Sequence, residues 1–238
     1  MNITSLELPT KDLIAQRDYY SQVLELPVNL SAEKLEVQAG ATKLIFTLAD
    51  ASFDGAYHFA FNIPENQFQA AKVWISKRIP LLHDEIGKNE FDSASWNSHS
   101  VYFKDTAGNV LEFIARHNLK NAVDGDFDSS QILNVSEIGL PSKDVIAFAN
   151  EFCTHLALSV FKQEPSATFT PVGDDHGLFI VPIKDRIWIP NSGVPAKLLP
   201  VKVTVDVDGK QWEVHGLPYE LHTGLTNQAA TGIEIHGV

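Results

Sequence analysis

The chain has 238 residues, 44% of them hydrophobic and 20% charged, the balance of a globular protein with enough apolar surface for a sizeable core and one or two domains. Its formal charge of −12 argues against a nucleic-acid-binding surface and against an anionic membrane as partner. Cys153 is the only cysteine, which excludes an intramolecular disulfide and is compatible with a reducing compartment; with no signal-like N-terminus and no apolar run long enough to span a bilayer, the expected location is the cytoplasm.

Residues 3–8 read as a strand, with Ser5 and Glu7 on one face and Thr4, Leu6 and Leu8 on the other, ended by Pro9. Asp12 is a helix N-cap, and Leu13, Tyr20 and Leu24 recur at helical spacing until Pro27 stops the helix. Residues 35–39 and 42–48 form short strands joined around Gly40, and 28–30 can hold a further one, completing a βαβββ-sized unit. A second unit opens with a strand at 57–63, where His58, Ala60 and Asn62 point one way and Phe59, Phe61 and Ile63 the other. Pro64 breaks that strand, and Phe68, Ala71 and Ile75 mark a helix within 65–78. After an irregular stretch at 81–91, residues 98–116 read as a β-hairpin whose turn uses Asp105, Gly108 and Asn109. On its return strand Val110, Glu112, Ile114 and Arg116 share one face, and Leu111, Phe113 and Ala115 the other. Both faces are largely apolar, so the Glu112 carboxyl must be paired, hydrogen-bonded, metal-bound or protonated.

Residues 118–131 are polar and acidic and read as a linker with solvated charges. An internal repeat follows: LPTKDLI at 8–14 matches LPSKDVI at 140–146, an offset of 132 residues. Its helix carries Val145, Ala149, Phe152 and Leu156, and strands are expected at 169–172, 178–183, 201–207 and 211–214, the last two turning at Asp208 and Gly209. That turn is no calcium loop, because His215 stands where the twelfth position requires a glutamate. Cys153 and His155, two apart on the helix, do not face each other, and Cys153 reads as a small core residue. Beyond about residue 219 the pattern assigns no element.

The stretch SVYFKDTAGNVLEFIAR, with its D-x-x-G-N-x-x-E-F core from Asp105 to Phe113, resembles the closing hairpin of a domain in the vicinal oxygen chelate superfamily. That superfamily includes glyoxalase I, extradiol ring-cleaving dioxygenases, fosfomycin-resistance enzymes and bleomycin-binding proteins. The resemblance implies an α+β fold of tandem βαβββ modules in two domains, 1–117 and 132–238, with 118–131 between them and the last module degenerate. It also implies metal ligands on the first, fourth, fifth and eighth strands of a two-module cup, positions that fall on Ser5, Ile45, His58 and Glu112. His58 and Glu112 suit a metal; Ile45 cannot ligate and Ser5 is a poor ligand. Through the repeat, Glu137 occupies the position equivalent to Ser5, and a cup joining the second and third modules would bring it to His58 and Glu112. The expected site is a divalent ion (Mn, Fe, Zn or Ni) held by His58, Glu112 and Glu137, with Glu112 also the catalytic residue and Trp96 and His99 at the cup's mouth. The implied function is that of a metal-dependent lyase, isomerase or dioxygenase acting on a small substrate chelated through vicinal oxygens, with a dioxygenase disfavoured by the single histidine. The alternative, which the losses at Ser5 and Ile45 support, is a metal-free protein that binds or sequesters a small molecule as the bleomycin-binding relatives do. A homodimer is compatible with either, since some members of the superfamily exchange modules between chains.

Overall fold

The computed structural model describes residues 1–223 and the backbone of 232–234. In chain order the elements are β1 (Asn2–Thr10), α1 (Leu13–Asp18) running into a π-helical stretch (Tyr19–Val23), β2 (Val28–Leu30), β3 (Lys34–Ala39), β4 (Thr42–Leu48), β5 (His58–Ile63) and α2 (Phe68–Ser76). They continue with β6 (Phe91–Ser93), β7 (Ser98–Lys104), β8 (Val110–Arg116), β9 (Asn134–Gly139), α3 (Val145–Leu156), β10 (Phe169–Asp174), β11 (Gly177–Pro182), β12 (Val201–Val207), β13 (Lys210–Gly216), β14 (Glu220–Thr223) and β15 (Gly232–Glu234). The fold is α+β: two curled mixed sheets built from βαβββ-type modules form two domain-like halves. No helix among the described residues is long and apolar enough to cross a membrane.

The first sheet has the strand order β15-β14-β13-β12-β1-β4-β3-β2 and the second β10-β11-β9-β5-β8-β7-β6. Each sheet takes strands from both sides of the segment 118–131. β1 pairs antiparallel with β12, and β5 pairs antiparallel with β9. The first and fourth modules therefore share one sheet, and the second and third the other.

The two copies of the repeated motif start their helices alike. Asp12 accepts from the backbone N–H groups of Ile14 and Ala15, and Asp144 from that of Ala147, satisfying donors the first helical turn leaves unpaired. The first strand continues through Pro9 to Thr10, although a stop was expected there. β12 has already parted from β1 after Glu7, and a proline is tolerated where a strand has a free margin. The helix expected within 65–78 begins only at Phe68, because the Gln67 N–H bonds Pro64 O in a tight turn. The stretch after residue 219 contributes β14 and β15.

One continuous apolar core is shared by both sheets and all three helices. On α3, Phe148 packs edge-on against Tyr219 beside the first sheet, and Phe152 against Phe179 of the second. Phe113 is fully buried among the rings of Phe61, Trp74, Phe103 and Phe127. Phe127 thus anchors a segment whose acidic residues Asp124, Asp126 and Asp128 stay exposed.

Candidate metal centre

The D-x-x-G-N turn positions the site. Asp105 Oδ1 accepts from the backbone N–H groups of Ala107 and Asn109, and Gly108 takes φ +82°, a conformation that favours glycine. Asn109 Oδ1 then accepts from Tyr57 N at 2.8 Å, and Val110 N donates to Tyr57 O at 2.8 Å. The start of β5, where His58 stands, is held against the start of β8 by these bonds.

β5 runs between β8, parallel to it, and β9, antiparallel to it, and Ala60 lies in register with both Glu112 and Glu137. His58 shares the face of Ala60 by strand alternation, so the three candidate ligand side chains converge around one small one. His58 Nδ1 lies 3.0 Å from Val110 O. A carbonyl only accepts, so Nδ1 carries the proton and Nε2 offers a lone pair. Nε2 is 3.6 Å from a Glu112 carboxylate oxygen and 3.9 Å from a Glu137 one. One donor atom from each residue lies within 4.8 Å of the other two. The gaps exceed direct hydrogen bonds and match those between donors flanking one ion at about 2.0–2.2 Å.

All three side chains are buried, and burial dominates their acid–base behaviour. It lowers His58 to about 4 against the opposing bond to Val110, so the imidazole is neutral. It also drives Glu112 well above the ordinary carboxylate range, helped by the negative charge of Glu137 and opposed by Ser100, Arg116 and Tyr102. Glu137 is raised by burial and pulled back by Arg116, whose Nη2 pairs directly with its second oxygen. Arg116 pairs directly with Glu137, so of the two carboxylates Glu137 is the one whose charge is compensated and Glu112 the one that holds a proton more readily. Ser100 and Tyr102 line the cavity together with Glu112. The donor set (a fixed imidazole lone pair, a carboxylate compensated by Arg116 and a carboxyl whose proton a cation can displace) fits a divalent ion.

Over this group opens a cavity of about 360 Å³ walled by Phe91, Trp96, Phe169, Ile180 and Trp188. The Trp188 ring lies 4.9 Å from that of His58. Of the two residues expected at the mouth, Trp96 lines the cavity. His99 does not: it alternates to the opposite face from Ser98 and Ser100, packs on Phe68 and bonds His117 at 2.8 Å. Ser5 and Ile45 lie in the first sheet, paired with Lys43 and Glu7 respectively, outside the triad. The turn at Asp208 and Gly209 is a tight hairpin with both residues at positive φ, and Cys153 is half-buried at the margin of the core.

Sequence reasoning missed Arg116, Trp188 and Arg186. For Arg116 a signal existed, since it shares the face of Glu112. It is fully buried, its Nε donates to Asn62 Oδ1 at 3.1 Å, and it lies under the rings of Trp96 and Phe161.

No family model matches the chain, and no curated protein matches it. Solved structures do. A proposed dioxygenase from Bacillus subtilis aligns with 77% of the chain at 14% identity and a TM-score of 0.54, the chain spanning 64% of that structure's length. A lactoylglutathione lyase from Agrobacterium tumefaciens aligns with 47% of the chain and 91% of its own, at 23% identity and a TM-score of 0.39. A variant of the fosfomycin resistance protein FosX from Listeria monocytogenes, complexed with Mn(II), aligns with 49% of the chain and 90% of its own, at 17% identity and a TM-score of 0.38. With its modules paired into two curled sheets, the chain carries the fold of the vicinal oxygen chelate superfamily.

Proposed function

We propose that the protein is a metal-dependent enzyme acting on a small substrate bound through two neighbouring oxygens, with His58, Glu112 and Glu137 holding the ion. The observation that carries this reading is the His58 Nε2 lone pair, fixed by the bond to Val110 and faced by carboxylate oxygens at 3.6 and 3.9 Å. When bound, the ion supplies Lewis acidity to the substrate oxygens and stabilises charge developing on them. Glu112 is the residue placed to take a proton from substrate and return it, since burial raises its proton affinity and it faces the cavity. Arg116 keeps Glu137 ionised and fixes its direction. The aromatic wall excludes water from the proton transfer. Lyase, isomerase and dioxygenase chemistry all use this arrangement, and the single histidine weighs against the last. The place of action in this reading is the cytoplasm.

The test is the metal content of untagged protein purified without chelator, and again after incubation with Mn(II), Fe(II), Zn(II) or Ni(II). We expect stoichiometric occupancy, with affinity falling at least about tenfold in H58A, E112Q and E137Q. Full occupancy in all three variants would place the ion elsewhere.

A second reading has an observation of its own. With Glu112 protonated and Glu137 paired to Arg116, the site is charge-balanced without an ion, as a metal-free small-molecule binder requires. Protein that neither retains nor takes up any of these metals would make that the first reading.

A further inference from the structure

The cavity above the triad has a second polar end that the metal reading does not use. Arg186 lines it, half-buried, with its guanidinium stacked 4.7 Å over the Phe169 ring. Its hydrogen bond is a long one, 3.5 Å from Nη1 to Thr168 O, and it makes no ion pair among the described residues. A guanidinium has five N–H donors in a planar fork that matches a carboxylate, so most of its donors are unused. Trp188, on the same wall, keeps its Nε1–H buried without a partner. The bridge between Ile187 and Pro195, flanked by the bonds from Trp188 N to Val194 O and from Ala196 N to Arg186 O, holds this strap in an antiparallel pair. Arg186 therefore stands two extended residues, about 6–7 Å, along the strap from the ring that covers His58. The rest of the lining is largely apolar and aromatic, with Ser93, Gln163 and Asp92 among its polar members, the Asp92 carboxylate being paired with Lys88.

We infer that the cavity takes an aromatic carboxylate, its ring body held between Phe91, Trp96 and Phe169 and its carboxylate on Arg186, about one ring-system's length from the triad. This rests on the triad being the chelating end, and it names the substrate class for that site. On a chain of net charge −12, an arginine with no ion pair among the described residues is the feature of this lining that would select an anion over its neutral isostere in metal-free protein.

Naphthoate and its neutral isostere naphthamide serve as probes, titrated calorimetrically into chelator-stripped and Mn(II)-loaded protein. In stripped wild-type protein, naphthoate should bind at least about tenfold more tightly than naphthamide, the range of a charge-assisted hydrogen-bonded pair. R186Q should abolish that preference by weakening naphthoate far more than naphthamide, and R186K should restore part of it. Retained naphthamide binding also shows that the variant folds. Equal affinity for the two probes in stripped wild-type protein would overturn the inference. So would a preference that survives R186Q and appears only with Mn(II), which would assign the carboxylate to the ion and support the metal reading. Conversely, an Arg186-dependent preference in protein that binds no Mn(II) would support the anion subsite while sinking the metal reading.

Discussion

Glu112 and His58 are buried side by side, and burial pushes each toward its neutral form, which makes the stability of the metal-free protein depend on pH in opposite senses. The folded protein holds the Glu112 proton up to about 8, while an unfolded chain releases it near 4.5. The folded state thus carries the extra proton across that window, and stability falls as pH rises through it. His58 works the other way: the folded state refuses a proton down to about 4, while the unfolded chain takes one near 6.5, so stability falls as pH drops through that window. Between 4.5 and 6.5 the two oppose each other. Of these two groups only Glu112 still titrates above 6.5, so its contribution should lower the denaturation midpoint of chelator-stripped protein from pH 6.5 to 8, and E112Q should flatten that slope. An equally steep slope in E112Q would show that another group holds the proton. The same proton must leave before a cation binds, so metal affinity should rise with pH over this range with proton release measurable by calorimetry.

At the scale of elements, the β7–β8 hairpin buries both faces, with Glu112 turned toward the cavity and Phe113 toward α2. Phe113→Ala should cost about 3–5 kcal/mol, because the surrounding rings cannot collapse into the space. A loss well under about 1 kcal/mol in denaturant titration would mean that the ring is not closely packed. β9 makes a second test. A Cβ on Gly139 would lie 2.5 Å from Trp188 Cη2, and β9 is paired on both edges by β5 and β11, so its backbone cannot recede. G139A should displace Trp188 from the cavity wall, destabilise by about 1–3 kcal/mol as overpacking does, and alter tryptophan emission. Wild-type emission and stability together would show that the ring yields freely.

For the whole molecule, the decisive feature is that each sheet is closed by strands from both sides of residues 118–131. Limited proteolysis should cut first within that segment, whose acidic residues are exposed, rather than in the fully paired hairpin at 98–116. The two fragments should still migrate together under native conditions, because separation would bare the edges of β1, β5, β9 and β12 and open the shared core. Fragments that separate without denaturant would contradict the shared-sheet architecture.

Local chemistry carried much of this in the sequence. The period-2 faces of β5 and β8, the N-caps at Asp12 and Asp144, and the turn chemistry of Asp105, Gly108 and Asn109 depend on a few neighbouring residues. They suffice to put His58 and Glu112 on the faces they occupy. The repeat marked Glu137 as equivalent to Ser5, but equivalence does not choose a neighbour. That choice was tertiary: the open edge of β5 is filled by β9 in antiparallel register, which brings Glu137 level with Ala60. Pairing between strands some 70 residues apart in sequence depends on which edges and apolar faces remain uncovered once the modules pack, and no local periodicity records that. The Arg116 ion pair, the Trp188 ring over His58 and an Arg186 without an ion pair among the described residues follow from that same packing, and so only the folded chain decided what the candidate site presents to the cavity.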